Sequence, residues 1–447
     1  MRKQGIDGTG MLNLYDRVTG VFNEIFDARL LTVALAALEG YCVLFTQRKF
    51  PMRWMIFVLF GMILLAFVTL TARTPGRKAR VRFHRGMAGL WFALHGMMVV
   101  SGLFYQDWLP ESVPLLVCYP IVFSVFAARD DDSTFRAILR GAVFAVLPFL
   151  LWTCAAVPLT WGYPGYRGVF YDANCLSMCC IVMATAALLL CYASFVEGKR
   201  RAAILYGLLG AWAAVMLLLT LSRSGLLAFV GVVTVLAAAI LAGTARRPGR
   251  VLAALAVFVA LAGAAGVKIT QDKVYEAAVE DYELALYNHE TYGNPITVPR
   301  PEDKRISMDD LTSDRWGIWM TILDNLTWNG HESSVVREWV AKDGAGERHY
   351  NAHNAFFGVT YNNGVIAGAL LCAYTLLSLV RALRYYWMHR KTSPYAATPL
   401  AFCLVFILVG MFESVYAPFS AIGCAYLLVQ APLWRADLSR RAAEEPI

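Results

Sequence analysis

Charged side chains are scarce in this chain. Asp, Glu, Lys and Arg make up only 16% of its 447 residues, whereas an ordinary soluble domain carries about 25%. Hydrophobic residues make up 58%, and they occur in runs long enough to cross about 30 Å of hydrocarbon. The scarcity of charge therefore excludes an ordinary soluble enzyme and predicts an all-α, polytopic membrane protein.

Cysteine is absent from the largest polar segment, residues 268–354. All ten cysteines lie in or beside apolar stretches, where they behave as small buried hydrophobic residues. We therefore expect no disulfide framework, and Cys154 with Cys175 is the one pair worth testing. No internal repeat is visible in the sequence. No cleavable signal is expected, because residues 1–27 are polar or interfacial. These residues are predicted to form a helix along the inner membrane surface.

The apolar runs predict twelve membrane spans. Spans 1–9 fall within residues 28–267, a polar loop follows at 268–354, spans 10–12 fall within 355–434, and a cytoplasmic tail covers 435–447. The spans are residues 29–46, 54–72, 87–105, 112–128, 141–160, 174–195, 204–221, 225–243, 251–267, 355–380, 399–412 and 416–434.

The basic residues of the short loops predict the orientation. With the N-terminus inside, most loops rich in Lys and Arg face the cytoplasm, as membrane insertion favours. Residues 47–53 form one basic loop on the other side, but the other basic loops all support the orientation with the N-terminus inside. The large loop at 268–354, between spans 9 and 10, is therefore predicted to be extracytoplasmic. The cytoplasmic basic segments are residues 73–85, 129–140, 197–201, 246–250 and 381–391, with the tail.

The net charge of +8 belongs mostly to these cytoplasmic loops. Contact with anionic headgroups explains it better than nucleic-acid binding does, so membrane lipids are expected partners and nucleic acid is not. Ionisable residues within or near the spans are few, mainly Glu39, His95 and Glu413. This scarcity argues against a twelve-span transporter or flippase, which is the second functional hypothesis.

Arg223 is the sharpest candidate on the outer face. An arginine at the end of a helix is often a membrane anchor whose guanidinium reaches toward water. Here Ser222 and Ser224 flank it, and Gly225 follows where the eighth span begins. Helix amides, two hydroxyls and a guanidinium in one turn would make a good anion site. The turn at residues 220–225 is therefore predicted to bind a phosphate at the membrane surface.

Arg315 opens an amphipathic stretch within the large loop. Trp316, Trp319 and three following aliphatic residues (Ile322, Leu323 and Leu326) fall on one helical face. Such a helix commonly rests its tryptophans in the bilayer interface. It can do so and still present Arg315 toward a site at headgroup level.

His353, followed by Asn354, closes the large loop. A lone histidine in a polar loop is usually only solvated, and a metal site with His349 is a further alternative. The metalloprotease pattern fails, however, because Tyr350 rather than Glu follows His349. No metal is therefore expected, and a neutral imidazole could act as a general base toward a hydroxyl.

The acidic run at residues 130–132 resembles the metal-binding motifs of nucleotide-sugar transferases. Its predicted position is cytoplasmic, away from the outer-face candidates. A solvated charge run is the better interpretation.

Four motifs together resemble the O-antigen ligase superfamily, which includes O-antigen ligases and related polysaccharide polymerases. They are the segment from Arg167 to Asn174, the Leu-Ser-Arg-Ser-Gly of residues 221–225, the Arg-x-x-x-Trp of residues 315–319, and His353-Asn354 with the downstream Gly364 and Gly368. The resemblance covers roughly residues 140–430. It implies a twelve-span fold of the GT-C type in a bacterial cytoplasmic (inner) membrane, with the active site on the extracytoplasmic face.

The resemblance also implies a reaction and its residues. Such enzymes move a glycan from undecaprenyl diphosphate to an acceptor, with inversion and without a metal or other cofactor. By this resemblance His353 is the catalytic base. Arg223 and Arg315 hold the donor diphosphate, with Arg167 as a weaker third contact. Ser222, Asn174 and Asn354 support the substrate site.

The acceptor stays open at this point. It could be a glycan, a lipid or a protein, and the same motifs serve ligases and polymerases. The second glycine, Gly368, falls four residues after Gly364, whereas the ligase pattern places its last small residue three after. Polymerase activity is therefore kept as an alternative, and a non-catalytic assembly subunit as a remote one.

Overall fold

The computed structural model describes residues 29–47, 54–72, 82–105, 109–129, 131–162, 165–243, 248–303, 315–332 and 352–439. Within these residues the protein is helical and contains no strand, and an isolated bridge joins Phe83 to Arg435. The predicted all-α class is confirmed. The predicted surface helix at 1–27 and residues 440–447 of the tail lie outside the described residues.

The helices of the described residues are numbered in chain order. They are α1 Arg29–Gln47, α2 Trp54–Ala72, α3 Arg85–Tyr105, α4 Leu109–Ala128 with a π-helical turn at Pro114–Cys118, α5 Asp132–Ala156, α6 Ala173–Val196, α7 Arg200–Leu219, α8 Arg223–Gly243, α9 Pro248–Tyr292, α10 Arg315–Asp324, α11 Ala355–His389, α12 Thr398–Gly410 and α13 Ala421–Val429. Short 3₁₀ turns lie at Pro301–Asp303 and Ala431–Trp434.

Eight of these helices, α1 to α7 and α11, are long and apolar enough to cross a membrane. α8 and α12 contribute shorter apolar helices, at Arg223–Ala237 and Thr398–Gly410. α13, within the twelfth predicted span, has only nine residues. The chain is therefore a multi-pass membrane protein. The count of twelve spans and the GT-C fold stay predictions.

The core of the bundle is centred on α6. In its most apolar window 72% of the residues are buried, against 33–56% for the other spans. Small residues such as Ala184 and Ala187 let neighbouring helices approach closely. Gly210 of α7, for example, lies directly against Ala187 and Leu188. α6 is thus the helix around which α5, α7 and α8 are arranged.

The basic residues of the predicted cytoplasmic loops, as far as the structure describes them, gather at one end of the bundle. Arg136 of α5 pairs there with Glu197, which follows α6. Near the end of α11 the Arg381 guanidinium donates to the carbonyl of Leu433 at 2.7 Å. The opposite end is where α1, α5, α7 and α12 finish and α6, α8, α11 and α13 begin. We call this opposite end the site end.

The described part of the acidic run stabilises structure at the basic end. Asp131 accepts a hydrogen bond from the backbone N–H of Thr134 at 2.7 Å and begins α5. Asp132 accepts from the hydroxyl of Ser393 at 2.6 Å. Asp130 lies outside the described residues. Asp131 therefore caps α5, and Asp132 joins the start of α5 to the loop between α11 and α12.

α9 runs for 45 residues without a break. It crosses the predicted boundary between the ninth span and the large loop, at residues 267 and 268. Its sequence is apolar before this boundary and polar from Lys268 onward. The first part of the loop therefore continues as a rigid extension of a membrane helix.

α11 contains a break at Gly364, whose φ is +88° and ψ 164°. Residues of the large loop and of α3 form hydrogen bonds with the α11 backbone at this break. The N–H of Val365 donates to the carbonyl of Thr327 at 2.8 Å, and the hydroxyl of Ser101 donates to the carbonyl of Asn362 at 3.0 Å. These bonds matter because unpaired backbone groups are costly at membrane depth. The glycine found in the sequence therefore marks where the large loop docks into a broken helix.

Replacing Gly364 by alanine should destabilise the protein. A Cβ atom at Gly364 would lie 2.0 Å from the carbonyl oxygen of Trp328, and this φ is one that side chains rarely adopt. We expect a loss of at least about 1–3 kcal/mol, measured as a lower unfolding midpoint in detergent. Gly358→Ala in the same helix is the control, because its Cβ would meet no atom closer than 3.7 Å. Equal midpoints for the two variants would contradict the role of the break.

Candidate active site at one end of the bundle

The turn between α7 and α8 is built by its own hydroxyl groups. Thr220 Oγ1 donates to the carbonyl of Leu217 at 2.6 Å and accepts from the N–H of Ser222 at 3.2 Å. Leu221 takes a left-handed φ of +52°. Ser222 Oγ accepts from the N–H of Gly225 at 3.4 Å. These bonds start α8 at Arg223, so the guanidinium extends from a helix N-terminus, where anions are favoured.

The segment before α6 packs on this turn. The N–H of Tyr166 donates to the carbonyl of Leu219 at 2.9 Å. A Cβ atom at Gly165 would lie 2.3 Å from the carbonyl oxygen of Thr220, so glycine is required there. Arg167 follows and is exposed, and Asn174 is half-buried in the first turn of α6. The structure therefore places Arg167 and Asn174 at the same end as the Arg223 turn.

The remaining candidate site residues contact residues 411–413, which lie between α12 and α13. Asn354 Nδ2 donates to the carbonyl of Met411 at 2.8 Å. Arg315 donates to the carbonyl of Phe412 and, through Nη2, to Glu413 Oε1 at 2.8 Å. His353 Nδ1 lies 3.5 Å from Glu413 Oε2. One short loop thus brings together three residues that the sequence places up to 39 positions apart.

Asn354 has a structural role as the N-cap of α11. Its Oδ1 accepts from the N–H groups of Phe356 and Phe357, at 2.8 and 3.0 Å. Together with the bond to Met411, these contacts fix the start of α11 against the loop after α12. His353, immediately before this cap, has a left-handed φ of +44°. The cap therefore sets the direction of the imidazole toward Glu413.

Glu413 is the site residue that sequence reasoning missed. Its side chain is 9% exposed. Burial alone would raise its pKa, but the hydrogen bond from His353 and the charge of Arg315 outweigh burial, so the pKa lies below its ordinary value. The only signal in the sequence is weak, a lone carboxylate between two apolar runs, which by itself indicates no more than an ionisable group near the membrane. The structure shows it as the common partner of Arg315 and His353.

The helix α10 packs on the start of α11. Trp319 Nε1 donates to the carbonyl of Ala352 at 2.8 Å, and its ring lies 5.7 Å from that of Phe357. Ile318 and Ile322 are buried against this surface. Three residues of the predicted amphipathic face instead remain exposed, which suits contact with a bilayer interface. They are Trp316, Leu323 and Leu326.

Arg223 and Arg315 also act on a third cation, Lys273 of α9. Burial and, to a smaller extent, the charges of the two arginines lower the pKa of Lys273 from 10.5 to about 8. Lys273 is not among the candidates that the sequence indicates, because its burial depends on the packing of α9 and no local pattern reports it. The site end thus holds a cluster of positive groups beside one imidazole.

No group of three or more His, Cys, Asp or Glu side chains that could hold a metal ion is found within the part of the chain that the structure describes. His349, the histidine of the metal alternative, falls outside that part. His331 stacks on Tyr361, with ring centroids 5.0 Å apart. All ten cysteines are free thiols, including Cys154 and Cys175.

These features define a multi-pass helical protein with a cationic, histidine-containing site at one end of its bundle. Residues 208–372 match the family model of O-antigen ligase. The resemblance to the O-antigen ligase superfamily is therefore confirmed, and this family implies, in general terms, an enzyme of the glycosyl-transfer type. The matched segment contains Arg223, Arg315 and His353, while Arg167 and Glu413 lie outside it. No curated protein matches the chain.

Proposed function

We propose that the protein transfers a glycan from an undecaprenyl-diphosphate donor to an acceptor hydroxyl, with inversion and without a metal. The observation that carries this proposal is the convergence of Arg315, His353 and Glu413. A base and a cation that share one buried carboxylate, at the same end of the bundle as the Arg223 turn, can serve both halves of the reaction. Surface polysaccharide biosynthesis is the process in which such a reaction belongs.

The leaving group requires positive charge. A prenyl diphosphate needs no proton in order to leave, but negative charge grows on its oxygens in the transition state. Arg223 supplies a guanidinium at the N-terminus of α8. Arg315 supplies a second one, held in place by Glu413 at 2.8 Å. Fixed cations of this kind stabilise the transition state without reorganisation. Arg167 and Asn174, at the same end, complete the donor site.

The acceptor requires a base. The Glu413 carboxylate favours the proton on His353 Nδ1, which leaves Nε2 unprotonated. The 3.5 Å contact is long, as catalytic hydrogen bonds often are before substrate binds. In the step we propose, the acceptor oxygen bonds to the anomeric carbon while the bond from that carbon to the diphosphate oxygen breaks. The hydroxyl proton moves to Nε2, and the diphosphate leaves with the bonding electron pair.

The sidedness of the site supports an extracytoplasmic reaction in the cytoplasmic membrane of a bacterium. The basic loops lie at the end of the bundle opposite the site, and basic loops favour the cytoplasmic side. A donor with a long hydrocarbon tail also requires a site at the bilayer surface. The acceptor can be a glycan, a lipid or a protein. Polymerase activity is the alternative within this same superfamily, because it would use the same residues.

The test is loss of transfer in Arg223 variants. We expect Arg223→Ala to lower the transfer rate by about 10²–10³, as removal of one transition-state donor does. Arg223→Lys should also be impaired, because an ammonium does not reproduce the planar guanidinium fork. The measurement is glycan transfer in membranes supplied with the lipid-linked donor, normalised to inserted protein.

Arg200→Ala is the matched control for Arg223. Arg200 is also the first residue of a helix, α7, but it is exposed at the basic end. Its loss should leave transfer unchanged. Full transfer activity in Arg223→Ala would argue against the diphosphate site, whereas solute uptake that survives loss of Arg223 and His353 would favour the transporter hypothesis.

A further inference from the structure

α9 follows α8 and packs against it, so it returns from the basic end to the site end, where its polar half has one buried face. Thr270 and Ala278 are 7% and 6% exposed, and Lys273 between them is half-buried. Lys268 and Asp272 pair with each other at 2.6 Å, with side chains 70% and 47% exposed. α9 therefore carries two kinds of lysine, one in solvent with its own counter-charge and one turned inward.

Lys273 faces charges of its own sign. The groups that act on it from the neighbouring helices are Arg223 of α8 and Arg315 of α10. Asp272, the preceding residue on its own helix, is bound to Lys268, and Glu276, one turn further along, is exposed. Glu413 is bound to Arg315. No carboxylate of the described residues forms an ion pair with the Lys273 ammonium. Three cations on three different helices thus converge at the site end.

We propose that Lys273 is a third cation of the donor site and contacts an anionic oxygen of the diphosphate. This inference rests on the proposed function and deepens it. The half-buried Lys273 ammonium is unfavourable beside two guanidinium groups until an anion enters, because like charges oppose it. Three cations suit a diphosphate better than a monophosphate, since the diphosphate spreads its charge over two phosphoryl groups. Lys273 therefore contributes to selection of a diphosphate-linked donor over a monophosphate-linked one.

The titration of Lys273 makes the contact measurable. Since its pKa lies at about 8, the ammonium is present at neutral pH and is lost as the pH rises above 8. Donor affinity of the native enzyme should fall over this interval. An arginine at position 273 keeps its charge throughout, so the same fall should be absent in Lys273→Arg.

The experiment measures KM for the donor and kcat from about pH 6 to pH 10 in the full-length protein. Lys273→Met should raise KM about tenfold, the size expected for one charge-assisted hydrogen bond, with a smaller change in kcat. Inorganic pyrophosphate, titrated as a competitor and in a thermal-shift assay, should bind Lys273→Met more weakly. Inorganic phosphate should distinguish the two proteins much less.

Lys268→Met is the control, because this lysine lies on the exposed side of the same helix. Equal KM and pyrophosphate affinity in Lys273→Met and Lys268→Met would overturn the proposal, and so would a pH profile that Lys273→Arg leaves unchanged. If Arg223→Ala still abolishes transfer in that case, the proposed function stands and only the role of Lys273 is removed. If neither substitution affects transfer, the proposed function itself is wrong.

Discussion

Replacing His353 by alanine or asparagine should lower glycan transfer by about 10²–10⁴, the contribution of one positioned general base. The reason is the geometry at Glu413, which orients Nδ1 and leaves Nε2 for the acceptor proton. Asparagine is the more informative replacement. It tolerates the left-handed φ of +44° at this position, so the fold is kept while the base is removed. The measurement is the single-turnover rate with the donor bound.

His289→Ala is the control for His353. His289 is an exposed histidine near the end of α9, and its ring Nδ1 lies 2.7 Å from the carbonyl oxygen of Asn294. Its removal should leave transfer at the native rate. A His353→Asn protein that transfers glycan as fast as the native enzyme would rule out the imidazole as base. The arginine assignments would survive that result.

Replacing Glu413 by alanine should destabilise the protein by about 3–5 kcal/mol and abolish transfer. Its partner Arg315 has a side chain only 11% exposed, and removing one member of a buried pair leaves an uncompensated charge. The same change also removes the carboxylate that orients His353. The unfolding midpoint in detergent and the transfer rate check the two effects separately.

A double substitution separates stability from catalysis at Glu413. Arg315→Met combined with Glu413→Leu removes both charges, and apolar replacement of a buried pair is often neutral or stabilising. We expect the double variant to recover most of the lost stability but none of the transfer. Glu197→Ala is the control, since its pair with Arg136 at the basic end is partly exposed and contributes about 0–1 kcal/mol. A stable Glu413→Ala protein would refute the assignment of Glu413 as a buried counter-charge.

The pH dependence of stability follows from the same carboxylate. Its pKa in the folded protein lies below the ordinary value, so the folded state binds this proton less readily than the unfolded chain does. The contribution to stability is therefore complete above the ordinary carboxyl pKa and is lost as the pH falls through the lowered one. Glu413→Gln should lack this part of the acid transition.

The amino-acid sequence by itself determined the class of protein and the main candidates for its site. Apolar runs of sufficient length allow only membrane helices, because backbone groups must be paired inside hydrocarbon. The order of Arg223, Arg315 and His353 along the chain indicated the superfamily, which the family match confirms. Gly364 was also visible as a motif, although its purpose was not.

Only the tertiary structure shows which residues contact and orient these candidate site residues. Glu413 lies 98 residues from Arg315 in the chain, and the bonds to residues 411–413 depend on how the start of α11 meets the end of α12. The inward position of Lys273 likewise depends on the packing of α9 against its neighbours. Periodicity reports which face of a helix is apolar, but it does not report which helix that face will meet. The contacts that orient the imidazole and gather the cations are set by packing between distant segments, and no local pattern in the sequence encodes them.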